Sequence, residues 1–310
     1  MAEREMRSVY CETLKKLAEK DPRIVVVEAD LMKASGTMPF KSAYPDRGID
    51  VGVAEANMVG VSAGLSVAGK IPFAASFGCF ASRRVFDQFF ISANYARLNV
   101  KLTGTDPGVT AAYNGGTHMP FEDIGMMRLI PNLCIFEPSD PVSLEKLIEA
   151  CAAHEGCTYM RLNRKPAPEL YNCDEKFALG KGKVLRDGCD VTIIALGALM
   201  VNEALKAAKQ LEGQGINAAV IDILSVKPLD EEIVLRYAAK TGKIVTAENH
   251  QCTGGLGSAV AELTACKRPT SIAMVGVHDE FGEVGAQSWL QQRFALTAEE
   301  ITRQAIQLMK

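Results

Sequence analysis

The stretch "DVGVAEANMVGVSAGLSVAGKIPFAASF" (residues 50–77) sets the reading of the whole chain. Its first part, up to Gly69, is long enough for a membrane span, but its glycines, Asn57 and Glu55 make it too polar for lipid. It reads instead as a buried helix over 54–68. The β-branched and aromatic run "KIPFAASF" (70–77) follows at once and reads as a strand. Working outward, the same alternation recurs. Strands are expected at 23–29, 99–105, 133–138 and 157–162, and helices at 4–20, 80–97, 122–129 and 141–153, the last announced by the N-cap signature and early proline of "SDPVSLEKL". From Asn163 to Gly188 the periodicity fails in a run rich in Pro, Gly and charge, with room for one short hairpin. A second series then begins, with strands at 190–197, 216–223, 243–249 and 271–277, helices at 199–212, 230–240 and 256–266, and two closing helices. The pattern is that of an α/β protein with two doubly wound domains, each built on a mainly parallel sheet. The expected boundaries are 1–165 for the first domain, 166–185 for a linker and 186–310 for the smaller second domain.

Composition narrows the function. The chain has 310 residues, 48% of them apolar and 23% charged, with a net charge of −3 and dispersed basic residues. Neither a nucleic-acid footprint nor a polybasic membrane anchor is expected from such a surface. Nine scattered cysteines without a C-x-x-C pair suggest reduced thiols, a cytoplasmic location and no zinc or iron–sulfur site. The four histidines show no metal-ligand spacing, so no metal site is expected within the chain. The charged, amphipathic N-terminal segment does not read as a signal peptide.

Three motifs could carry chemistry. "CTGGLGSAV" (252–260) opens a helix after a strand, but its spacing departs from G-x-G-x-x-G and no acidic residue lies about twenty positions on. It reads as a tight strand-to-helix turn. "TGTDPGVTAAYNGGTHMPFEDIG" (103–125) is a glycine-rich loop beyond a strand end, where ligands of such sheets bind, and it carries His118. Glu122 and Asp123 there are explained equally by a helix dipole. In "SFGCFASRRVFDQFF" (76–90) Phe77 and Phe80 could be core, and Arg84 and Asp87 are spaced for an ion pair. Glu55 remains. It is either an ordinary helix-start carboxylate or a desolvated acid placed to hydrogen-bond a buried ligand.

Taken together, "VEADL", "DVGVAEANMVGVSAGLSVAGKIPFAASFGCFASRRVFDQ" and "GTDPGVTAAYNGGTHMPFEDIGMMRLIPNLCIFEPSD" resemble the pyrimidine-binding domain of transketolases. "AENHQCTGGLGSAVAEL" and "FGEVG" resemble their C-terminal domain. The resemblance covers essentially the whole chain and is that of the C-terminal subunit of a split, two-chain transketolase. It implies thiamine diphosphate as cofactor and transfer of a two-carbon ketol unit from a ketose to an aldehyde. Glu55, in the family's E-x-N-M segment, would meet the cofactor aminopyrimidine and activate it. Phe80 and Phe77 would pack on that ring and Asp30 would lie beside it. His118 would contact the reacting end of the substrate, and Arg7 and Arg164 would hold a sugar phosphate. The family holds the diphosphate through Mg²⁺ (or Ca²⁺) on a G-D-G segment, which this sequence lacks. The resemblance therefore implies an N-terminal partner subunit carrying that site, an assembly such as a heterotetramer (or a homodimer of the chain alone), and no activity without the partner.

Departures from the pattern bear on substrate. Asp106 stands where split transketolases place a phosphate-binding histidine. Asn114 stands where an aspartate would contact a substrate hydroxyl. Ala34 replaces a serine, with Ser35 adjacent. An anion at 106 would repel phosphate, so an unphosphorylated, branched or otherwise modified sugar is expected. The competing readings are the beta subunit of a 2-oxoacid dehydrogenase, a 1-deoxyxylulose-phosphate synthase and a non-catalytic assembly subunit.

Overall fold

The structure, a computed structural model, describes residues 3–310. The chain divides into two compact units, one of residues 1–107 and 126–179, the other of residues 108–125 and 180–310.

In the first unit the strands are β1 (Ile24–Glu28), β2 (Gly48–Asp50), β3 (Ile71–Phe77), β4 (Lys101–Thr105), β5 (Cys134–Phe136) and β6 (Thr158–Leu162). They lie side by side in the order β5-β6-β4-β3-β1-β2, all parallel. Every residue of β1, β4, β5 and β6 is buried, as expected when helices cover both faces of a sheet. The main helices are α1 (Met6–Lys20), α2 (Glu55–Val67) and α3 (Pro141–Ala153). Met58 and Val59 of α2 pack with Val27, Ala74, Leu102, Ile135 and Tyr159 in one apolar core. The predicted start of α3 is observed: Asp140 accepts from the Ser143 amide at 2.6 Å and the Ser143 hydroxyl accepts from the Asp140 amide at 3.1 Å, a reciprocal capping box.

The segment after β3 differs from expectation. Instead of one helix over 80–97, two π-type segments, Phe80–Arg84 and Phe89–Tyr95, flank a single short α-turn at Phe86–Gln88, with Val85 outside helical geometry. The wider turns shift the phase of the side chains. Arg84 is directed to Glu55 rather than to Asp87, so the expected i,i+3 ion pair gives way to a pair across 29 residues. The polar run after Asn163 also contributes strands. Pro166–Pro168 pairs antiparallel with Glu3–Glu5.

In the second unit the strands are β7 (Lys183–Arg186), β8 (Val191–Ala195), β9 (Ala218–Asp222), β10 (Lys243–Gln251) and β11 (Ser271–Val277). Their order is β11-β10-β8-β9-β7, parallel except for β7, which runs antiparallel to β9. The helices α4 (Gly197–Glu212), α5 (Glu231–Thr241), α6 (Leu256–Lys267), α7 (Gln287–Arg293) and α8 (Ala298–Met309) complete it. Ile124, from the 108–125 segment, joins Ile194, Ile221, Val234 and Val260 in its core. No helix among the described residues is long and apolar enough to cross a membrane.

Candidate active site

Parallel strands end together, and several of the candidate residues of the first unit lie there. Asp30 lies just past β1, Phe77 ends β3, Asp106 follows β4 and Arg164 follows β6. The register places Phe77 beside Thr105 and Thr105 beside Leu162. These side chains form a connected row. Arg7 and Arg164 both donate to the carbonyl oxygen of Ala34, at 3.1 and 2.8 Å. Arg164 Nε approaches Asp106 Oδ2 to 2.5 Å, an ion pair in which that N–H is not aligned as a hydrogen bond. The Arg164 guanidinium also sits 5.0 Å over the Phe77 ring, which lies 6.0 Å from the ring of Phe80. Arg84 stacks on Phe80 at 3.9 Å and ends the row on Glu55, with Nη1 2.8 Å from Oε1.

Glu55, only 5% exposed, begins α2. The sequence presents it as a lone carboxyl in an apolar run. The structure gives it a cationic partner, Arg84, whose own side chain is half exposed. Oε2 stays outside that ion pair. The cofactor fit can be judged from this contact. A guanidinium is a flat donor, and here it both stacks on Phe80 and hydrogen-bonds Glu55. An aromatic face beside a carboxyl group is the pairing that a flat, protonatable aminopyrimidine requires.

Asp30 is exposed, with a left-handed backbone (φ 61°) fixed by donation of its N–H to Asp50 Oδ1 at 2.9 Å. Ser35 is not brought into the row. It is buried, and its hydroxyl donates to Glu28 Oε1 (2.5 Å) and the Leu31 carbonyl (2.9 Å). Glu28, fully buried, also accepts from Thr37 at 2.7 Å. Burial raises its carboxyl from 4.5 to about 7, against the two hydroxyl donors and with a smaller push from Asp50.

His118 and Asn114 belong to the second unit, on the 108–125 segment. Asn114 is exposed and His118 half-buried, with the Thr117 hydroxyl 3.0 Å from His118 Nδ1. In the same unit, the turn at 252–257 spends its helix-start amides within the protein. Glu248 accepts from the amides of Leu256 (2.6 Å) and Gly257 (2.7 Å) at the start of α6. This supports the plain strand-to-helix reading of that motif.

Other nucleophile geometries are not met. Gly60–Gly64 has the spacing G-x-S-x-G, but it lies inside α2, where the buried Ser62 hydroxyl donates to the Met58 carbonyl at 2.7 Å. The nine cysteines are free, and burial pushes the thiols of Cys134 and Cys157 up to about 12 and about 11. Among the described residues no three metal-ligating side chains stand together. Arg84, spaced in sequence for a pair with Asp87, is instead the partner of Glu55. Asn249 and His250 are adjacent polar residues on the buried β10, with no sequence motif to mark them.

Two units built on mainly parallel sheets, with a buried carboxylate and a pair of phenylalanine rings linked by Arg84 in the first, define the class: the chain belongs to the transketolase family. The family models "Transketolase, pyrimidine binding domain" and "Transketolase, C-terminal domain" match residues 2–169 and 180–301. It is a transketolase subunit, and membership carries dependence on thiamine diphosphate. More particularly, it is 53% identical, over 97% of its length and 93% of the relative's, to the 6-deoxy-6-sulfo-D-fructose transketolase subunit SqwH of Clostridium sp. (strain MSTE9). It is 39% identical to a putative transketolase C-terminal section of Methanocaldococcus jannaschii, over 98% of this chain and 96% of that one. Among solved structures, "Split gene transketolase, inactive beta4 tetramer" is similar with a TM-score of 0.90 and 40% identity, covering 98% of each chain.

Proposed function

We propose that this chain is the pyrimidine-side subunit of a two-chain transketolase that transfers a two-carbon ketol unit from a ketose with a sulfonated end to an aldehyde. Thiamine diphosphate supplies, when bound, the nucleophilic carbon and the electron sink for carbon–carbon cleavage. Glu55 would hydrogen-bond a ring nitrogen of the aminopyrimidine and share a proton with it. Phe80 and Phe77 would offer stacking faces, and Asp30 would complete the cofactor's surroundings. His118 and Asn114 meet the reacting end of the sugar, and Arg7 and Arg164 hold its charged end. The diphosphate and Mg²⁺ fall to an N-terminal partner subunit, because this sequence has no G-D-G segment. A heterotetramer with that subunit accounts for both halves of the site, and similarity to a split-gene transketolase that is an inactive beta4 tetramer is in keeping with it.

One observation carries the substrate reading: Asp106 sits on Arg164, and Glu5 sits on Arg7 at 2.8 Å. Each guanidinium is thereby partly neutralised. A sulfonate carries one negative charge, whereas a phosphate monoester carries about two at neutral pH, so this pair suits the monoanion better. Similarity to a subunit named for a sulfofructose transketolase points the same way. The test reconstitutes the chain with its companion subunit and compares 6-deoxy-6-sulfofructose, fructose 6-phosphate and fructose as donors. The expected kcat/KM is at least ~10-fold higher for the sulfo sugar, and Asp106→His narrows that margin. A preference for the phosphate ester would defeat the substrate reading. Full activity without a companion would defeat the two-chain reading.

A further inference from the structure

The loop that carries Asn114 and His118 is held by the C-terminal unit at several points. At its start, the Val109 amide donates to Asn249 Oδ1 at 3.0 Å. Gly108 (φ +49°) is pressed so closely there that a Cβ would stand 2.1 Å from the same oxygen. In its middle, a Cβ on Gly116 would stand 2.0 Å from the Gly282 carbonyl oxygen. Towards its end, the Phe121 carbonyl accepts from the Gln251 amide at 2.9 Å, and the Phe121 ring meets Phe294 edge-on at 5.3 Å. The Gly125 amide donates to His250 Nε2 at 3.3 Å, so the other ring nitrogen, Nδ1, carries the proton and donates to the Gln251 carbonyl at 2.7 Å. Between these holds, Ala112 adopts φ 49°, ψ −119°, a conformation that an alanine in an unrestrained loop would leave.

We propose that β10 of the C-terminal unit is the mould for the substrate loop and that Asn249 is a positioning residue for the reaction. The inference rests on the reading of His118 as a substrate contact, and it gives the C-terminal unit a direct part in the chemistry. Asn249 lies 2% exposed, at the point where the loop departs, and its oxygen caps the first amide that turns the chain. A strained backbone keeps its shape only while its surroundings over-determine it. Loss of the Asn249 acceptor leaves Val109 unsatisfied and lets the strain at Ala112 relax, which moves Asn114 and His118 together. A displacement of about 1 Å at a contact of this kind is enough to cost catalysis severalfold to a hundredfold.

The test uses the reconstituted two-chain enzyme carrying Asn249→Ala, Gly116→Ala, His118→Ala and the Asn249→Ala/His118→Ala pair. Hydrogen exchange is followed over 108–125 and over the rest of the chain. Asn249→Ala is expected to speed exchange in the loop while β8 and β9 stay protected, and to lower kcat/KM by about tenfold or more. The double variant should lose less than the product of the two single losses, because a displaced loop no longer makes full use of the histidine. Gly116→Ala should reproduce the loop exchange and the kinetic loss from a different contact. Unchanged loop exchange, or a double variant whose loss is the product of the two single losses, would overturn the proposal. A silent His118→Ala would overturn the role given to the histidine, and the exchange data distinguish that failure because they read the loop without any substrate.

Discussion

Two buried glutamates, one in each unit, are satisfied in opposite ways: Glu55 begins a helix, and Glu248 reaches from a strand to the start of one. Glu248 spends both oxygens on backbone amides of α6 and is closed over so tightly that a Cβ on Gly255 would come 1.9 Å from Oε2. Glu55 has a single side-chain partner, the half-exposed Arg84, and one oxygen outside that contact. Backbone donors cannot leave without unfolding a helix turn, whereas a flexible guanidinium can swing aside. The same residue type is thus a fastener in one unit and, in the function proposed above, a ligand group in the other. What separates them is the mobility of the donor, since burial is nearly equal.

The largest effect should come from breaking the fastener. Glu248→Ala strands two buried amides and removes two charge-assisted hydrogen bonds, which should cost ~3–5 kcal/mol in chemical denaturation of the chain. A loss below ~1 kcal/mol would show that the amides find other partners and that the contrast with Glu55 is overdrawn.

Glu28 sharpens the comparison as an intermediate case, with hydroxyl donors on Oε1 and no partner on Oε2. Its folded value of about 7 lies above the ordinary 4.5, so the folded state binds this proton more tightly. Its contribution is complete below about pH 4.5 and is lost as pH rises to about 7. The shift corresponds to ~3 kcal/mol. Unfolding free energy should therefore carry a downward component across that window, and Glu28→Gln should remove it. A variant with the parent's slope would refute the assignment.

Glu55→Gln tests the other arm. It keeps the shape of the side chain but cannot give and take a proton, so turnover of the reconstituted enzyme should fall ~100-fold, or ~2.7 kcal/mol in the barrier. Stability of the chain should change by less than ~1 kcal/mol, because the lost ion pair has a half-exposed partner. Stability loss with intact turnover would make Glu55 a second fastener.

The sequence displays some of this and hides the rest for physical reasons. Fully buried parallel strands such as "IVVVE" are legible because a strand covered on both faces needs no polar alternation. Glu55 is legible because one charge in an apolar helix is conspicuous. Its partner is not, since the π-type turns at Phe80–Arg84 break the helical spacing that would pair Arg84 with Asp87. The triplet Glu248, Asn249 and His250 is visible as polarity on a buried strand. Nothing local says that Asn249 receives an amide from 140 residues earlier, because a contact of that separation is decided by topology. Ser35 shows the converse: it neighbours the family's serine position in sequence, yet its hydroxyl serves Glu28.

The membership of Gly108–Gly125 in the second unit has a consequence for genetic dissection. The polypeptide passes from one unit to the other three times, after Pro107, Gly125 and Leu179, so no single cut yields two whole pieces. A fragment opening at Gly180 would expose the bed from which Ile124 and Phe121 have been withdrawn, and the complementary fragment would trail an unanchored loop. Exchange of one half between homologous genes must carry that short segment along with the C-terminal half, or it will join a loop to a bed shaped for another sequence.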